Sequence, residues 1–214
     1  MDRTWIMLRS GRAIDLVNPD PWAWTDAELS ERLGLTTRWS GSTQWQRPLS
    51  VAQHSLLVLH LRQAMHDTPS REEQLHALLH DAEEGLLGFD PVTPLKAILG
   101  TRFHDLLAVL KCAIAARYGL PKLSNQQASK LKKADRIAAA LEARYVVGWS
   151  NEAIMKQLHL PDAPATPDPL FSGSELEDGY EPWEPWCPPK AAAAFLAMLD
   201  HLNTTRCRTA RELA

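Results

Sequence analysis

The sequence predicts an all-α fold, with a short N-terminal extended arm or hairpin and a Pro/Trp-rich loop towards the C-terminus. Three observations carry that expectation. Four runs repeat apolar residues at helical spacing, Ser, Thr, Gly and Pro stand where such helices would start and stop, and β-favouring residues around a turn dipeptide occur only near the beginning.

Trp5 to Leu16 mixes β-favouring residues with Ser10-Gly11, which suits a hairpin or extended arm. After Pro19 and Pro21, Thr25 is placed to cap a helix from Asp26 to Leu33 that Gly34 would end. Pro48-Leu49-Ser50 precedes a helical run from Val51 to His66. Val51, His54, Ser55, Val58 and Leu61 or Arg62 share one face of it, so His54 points where core residues point.

A second helix is expected from about Arg71 to Leu87, with Leu75, Leu78 and Leu79 as its buried stripe and Gly88 at its end, followed by a loop from Phe89 to Pro94. Phe103, Leu106, Leu107, Leu110 and Ile114 mark a third, stopped by Gly119 and Pro121. Ser124 and Gln127 form a capping box for a fourth, extending to Val147. Its stripe is Leu131, Ala134, Ala138, Leu141 and Tyr145, with Asp135 at the edge.

Residues 161–189 hold eight of the 15 prolines and are expected to lack regular structure, held to the body by Trp183 and Trp186. A last helix from Lys190 to about 201–203 would close a single domain over residues 1–214, with its core in about 26–150.

Composition narrows the function classes. At 45% hydrophobic and 23% charged residues the chain resembles an ordinary globular protein. No apolar run reaches the roughly 20 residues of a membrane span. The start, Met-Asp-Arg-Thr-Trp-Ile, is unlike a secretory signal, so a cytoplasmic location without a membrane partner is expected. A net charge of -3 gives no basic field for a nucleic-acid polymer and leaves small molecules as the expected substrates. Cys112, Cys187 and Cys207 are odd in number and widely spaced, which suits neither a disulfide framework nor a Cys-x-x-Cys metal site, so any metal would rest on His and carboxylates.

His-Asp dipeptides occur at 66–67, 80–81 and 104–105. The first falls at a helix end before Thr-Pro-Ser, and the acid of the last pair suits a helix first turn, so solvation and the helix dipole explain them. His80-Asp81 instead follows directly on the Ala77-Leu78-Leu79 stripe at an apparent mid-helix position, where an unpaired carboxylate costs several kcal/mol. A divalent cation would compensate it, and would also account for His54 on a buried face and Asp135 beside a buried stripe.

Two imidazoles and two carboxylates suit Co, Mn, Zn, Ni or Fe better than Ca. Glu84, one turn after His80, is placed to position or deprotonate an attacking water. Asp90 is a candidate second acid or base. Arg38, Arg47 and Lys96 are the candidate phosphate-binding cations.

Ser50-Val-Ala-Gln-His-Ser55, Ala77-Leu-Leu-His-Asp-Ala-Glu-Glu84, Thr93-Pro-Leu-Lys96 and Lys132-Lys-Ala-Asp-Arg136 together resemble, in order and approximate spacing, the blocks of HD-domain metal-dependent phosphohydrolases. The likeness is to the YfbR-like 5'-deoxynucleotidases and their phage and prophage relatives in particular, and covers roughly residues 35–147. It implies a helical HD-domain bundle, one divalent metal on His54, His80, Asp81 and Asp135, a homo-oligomer, and release of phosphate from deoxynucleotides. By the same carry-over Glu84 matches the family's catalytic Glu, and Arg38-Trp39 an Arg-aromatic pair associated with substrate phosphate and sugar.

The chain departs from the pattern in two places. Gly88-Phe89-Asp90-Pro91 stands where the family commonly has Gly-Asp-x-Pro, so Asp90 corresponds only across a one-residue insertion. Ser42 follows Gly41 where relatives often have His. Three functions fit these residues: a deoxynucleoside 5'-monophosphatase, a deoxynucleoside triphosphate triphosphohydrolase, and a metal-binding protein without turnover.

Overall fold

The computed structural model describes residues 4–159 and 166–212, so residues 161–165 of the Pro-rich segment lie outside the described residues. Among the described residues the fold is all-α apart from one antiparallel hairpin and an isolated bridge between Thr37 and Ser50. The hairpin strands are β1 (Trp5–Met7) and β2 (Ala13–Asp15), paired Trp5 to Asp15 and turned at Gly11, whose φ of +84° suits glycine.

Sequence-encoded caps start most of the helices that follow. Thr25 and Glu28 form a capping box on α1 (Asp26–Leu35), and the Ser50 side chain accepts from the Gln53 N–H at the start of α2 (Val51–Gln63). Ser70 with Glu73 opens α3 (Arg71–Leu78), and α4 (Ala82–Leu87) stops at left-handed Gly88. Then come α5 (Thr93–Leu99) and α6 (Thr101–Tyr118). Ser124 and Gln127 box the start of α7 (Asn125–Glu142), which runs into a π-helical turn, Ala143–Val147. Last are α8 (Asn151–Leu158), the short α9 (Gly173–Glu177) and α10 (Pro188–Glu212).

The helix α2 is the axis of the bundle. Packed by α1, α3, α7 and α10, it buries Val51 through Leu59 without interruption, more than the single face expected from periodicity. The core reaches from Leu8 and Ile14 of the hairpin region to Leu199 and Leu202 of α10, beyond the 26–150 expected of it. Trp183 and Trp186 are buried as expected, with Trp183 stacked on Tyr145 at 4.6 Å.

Several expected boundaries are corrected. Gly34 does not end α1 but lies inside it. A Cβ there would come within 2.7 Å of the Pro188 carbonyl oxygen, so this glycine permits the close crossing of α1 and α10. The expected helix from Arg71 to Leu87 is two helices broken at Leu79–Asp81, and the loop expected to Pro94 gives way to α5 at Thr93. The segment expected to lack regular structure contains α9, and α10 starts before Lys190 and runs on to Glu212. Among the described residues no helix is long and apolar enough to cross a membrane.

Candidate metal centre

The break between α3 and α4 creates the centre. In a continuing helix the Ala77 carbonyl would accept from the backbone N–H of residue 81. Here it accepts at 2.8 Å from Nδ1 of His80, which turns the ring inward and places Asp81 beside it. The mid-helix position expected for His80-Asp81 is therefore a turn.

His54 comes from α2 with no exposed surface, and Asp135 from α7. His54 Nε2 lies 3.1 Å from His80 Nε2, 3.6 Å from Asp81 Oδ2 and 3.4 Å from Asp135 Oδ1. His80 Nε2 is 3.2 Å from Asp81 Oδ2 and 3.8 Å from Asp135 Oδ1. Ligands about 2.1 Å from one first-row divalent ion stand about 3.0–3.4 Å from their neighbours in octahedral or tetrahedral arrangement. His54, His80 and Asp81 come near that spacing, at 3.1–3.6 Å and all within 4.8 Å of one another, and Asp135 stands beside them at 3.4 and 3.8 Å from the two imidazoles.

Tautomers sharpen the fit. A carbonyl only accepts, so His80 Nδ1 carries its proton. His54 Nδ1 lies 2.5 Å from Oε1 of Glu142, a carboxylate that His54 and Arg38 hold below its usual range against the effect of burial. With both Nδ1 atoms carrying protons, the two Nε2 atoms stand 3.1 Å apart, a separation at which they can share a proton or ligate one cation. Without a metal a proton must serve. Burial opposes charge on His80, but the Asp81 and Asp135 carboxylates lift its pKa to about 9. The same rings hold Asp81 and Asp135 well below the carboxylate range although burial works the other way.

Glu142 is the residue that sequence reasoning missed. Seven positions after Asp135, it lies two turns along the same face of α7, and that spacing was the available signal. Its Oε2 accepts from Trp39 Nε1 at 3.0 Å and Arg38 Nε at 3.1 Å. Carboxylate, histidine and metal position thus form a chain that fixes the ring and raises its basicity as a ligand. To reach Glu142 the backbone at Trp39 and Ser40 adopts left-handed φ of 56° and 52°, a cost of about 1–2 kcal/mol per residue. The edge of Trp149 also packs on Trp39, at 5.4 Å.

The candidate phosphate cations are spoken for. Arg38 Nη1 lies 3.5 Å from both Asp81 and Asp90, so Asp90 comes to the site, on the guanidinium. Lys96 donates at 3.0 Å to Glu84 Oε1. Arg47 lies away from the cluster and pairs with Glu184 at 2.6 Å.

Glu84 is almost fully buried, and burial, Asp81 and Asp90 push its carboxyl up to about 8. Its neighbour Glu83, also buried, pairs with Lys111 at 2.9 Å. The Oε2 atoms of both glutamates are buried without a hydrogen-bond partner. A cleft of about 560 Å³ between α6 and α7 opens onto His80, Asp81 and Asp135.

No protein-family model matches the chain. It is 36% identical over 163 residues to an uncharacterized protein of Rhodobacter capsulatus, an alignment spanning 76% of this chain and 83% of that protein.

Proposed function

We propose that this chain, which belongs to one family with the Rhodobacter capsulatus protein, is a metal-dependent phosphohydrolase of the HD type, acting as a 5'-nucleotidase on deoxynucleoside monophosphates. The observation that carries the reading is the convergence of four donors from three segments, with both Nδ1 atoms already engaged and the two Nε2 atoms 3.1 Å apart. The four sequence blocks described above give the reaction class.

A divalent ion held by His54, His80, Asp81 and Asp135 would supply Lewis acidity towards a phosphoryl oxygen and a water acidified towards neutral pH. Glu84 accepts the proton of the attacking water. Its ammonium partner Lys96 favours the ionised carboxylate, and burial with Asp81 and Asp90 makes it basic enough to take a proton near neutrality. Arg38 orients Asp81 and Glu142, and Asp90 holds Arg38 in place. Trp39 fixes Glu142 through its indole N–H. Because Arg38 and Lys96 are paired with carboxylates, few cations remain for a polyphosphate, which supports the monophosphate over the triphosphate.

The test is a panel of deoxynucleoside mono- and triphosphates with Mn, Co, Zn or Mg, resolving orthophosphate from tripolyphosphate. We expect orthophosphate from monophosphates, and a loss of about a hundredfold or more in rate for Glu84→Gln with metal still bound. Tripolyphosphate from triphosphates alone would replace the monophosphatase by the triphosphohydrolase. Metal uptake with no turnover of either class would leave a binding protein.

A further inference from the structure

Three of the four proposed ligands, His80, Asp81 and Asp135, border the cleft, whereas His54 has no exposed surface and Arg38, Trp39, Lys96 and Glu84 do not line it. The centre is therefore reached from the α6–α7 side, opposite in character to the carboxylate-rich surroundings of Arg38. Beyond the ligands the walls are mostly hydrocarbon: Leu79, Ile114 and Ala115 face Leu120 and Leu131.

Two lysines interrupt that lining. Lys111 is drawn to Glu83, but Lys132 is exposed and makes no ion pair among the described residues. It lies three positions before Asp135 on α7, hence on the same face and one turn away. A volume of about 560 Å³ is in the range of small-molecule sites, and an apolar body with one convergent cation beside a metal centre matches the anatomy of such pockets.

We propose that this cleft is the leaving-group pocket. It selects phosphomonoesters whose leaving group presents an aromatic or apolar face, with Lys132 as the cation that meets the phosphate. The proposal rests on the phosphohydrolase reading of the metal centre. A sugar-only or glycerol leaving group would strip water from its hydroxyls against hydrocarbon without replacing those hydrogen bonds. An aromatic ring would lose little and cover the apolar wall. A polyphosphate would bring several negative charges to a cleft with one unpaired cation.

The test uses the full chain loaded with metal and titrated with phenylphosphonate and methylphosphonate, neither of which can be hydrolysed as an ester. We expect phenylphosphonate to bind at least about tenfold more tightly. Ala115→Trp, at a half-buried position on α6, should abolish that preference while leaving methylphosphonate affinity within about twofold. Lys132→Gln should weaken both ligands by a similar factor of about three to ten.

Equal affinities in the parent chain, or a preference untouched by Ala115→Trp, overturn the pocket. Failure to take up metal overturns it together with the centre. If the phenyl preference stands but neither phenyl phosphate nor any deoxynucleoside monophosphate is hydrolysed, the apolar pocket survives and the phosphohydrolase reading falls. If phenyl phosphate and glycerol 3-phosphate are hydrolysed with equal kcat/KM, the selectivity is lost while the enzyme reading stands.

Discussion

Asp81 joins two groups of acids that solve the same electrostatic problem differently. On one side are Asp135 and Glu142, packed around His54 and His80. Arg38 serves Glu142 and Asp81, but among the described residues no ion pair joins Asp135 to a lysine or arginine, and its charge falls to the two imidazoles. On the other side Glu83 and Glu84 each have an ammonium from a neighbouring helix, Lys111 of α6 and Lys96 of α5. An acid cluster with built-in cations keeps its shape as the chain folds. One that lacks them between its donors is left to be completed by an ion or by protons. The two sides should therefore respond oppositely to metal removal and to mutation.

The most drastic way to break the contrast is His54→Ala. It removes the buried Nε2 that meets all three other donors, and bound metal measured on the purified chain should fall from one ion to none. In the parent, a chelator should lower Tm, because an ion at a thousandfold over its Kd adds about 4 kcal/mol.

A metal bound between the two imidazoles would compete with a proton for that position, which gives a pH signature. The pKa of His80 in the metal-free fold is raised from 6.5 to about 9, so the stabilisation from its proton is fully present below about pH 6.5 and is lost as pH rises through about 9. Metal-free protein should lose Tm over that window while metal affinity climbs across it. Flat Tm in the chelated protein would show that no proton holds the two rings together.

Glu142→Gln sharpens the comparison from behind the ligands. It keeps the shape but withdraws the charge that orients His54, and metal affinity should drop about 10–100-fold without loss of stoichiometry. The smallest effect is expected on the other side. Lys111→Ala should cost about 1–2 kcal/mol in denaturant unfolding, tempered by the half-exposed position of Lys111, and leave metal affinity unchanged. A change in metal affinity as large as that of Glu142→Gln would dissolve the distinction between the two sides.

Much of the scaffold was legible before any coordinates. Thr25 and the Ser124-Gln127 pair mark helix starts that the structure reproduces, because a cap depends only on residues within a turn. His54, His80, Asp81 and Asp135 were singled out because charge beside apolar stripes needs compensation, and they come together in the fold. Glu142 escaped notice because a carboxylate late in a helix is normally solvated. Only the approach of α2 turns it towards a histidine 88 positions earlier in the chain. Lys132 and Lys111 escaped for a similar reason, since a lysine on a helix gives no sign that a cleft opens beside it.

Local chemistry by itself determined where helices begin, which faces are apolar and which side chains carry unexplained charge, since each depends on neighbours within a turn or two. Tertiary structure alone decided that Gly34 would serve a crossing instead of a cap, and that of the two cleft lysines Lys111 would be the one drawn to a carboxylate. Those outcomes depend on which distant helix or carboxylate arrives within about 3–4 Å, the separation at which hydrogen bonds and close ion pairs form.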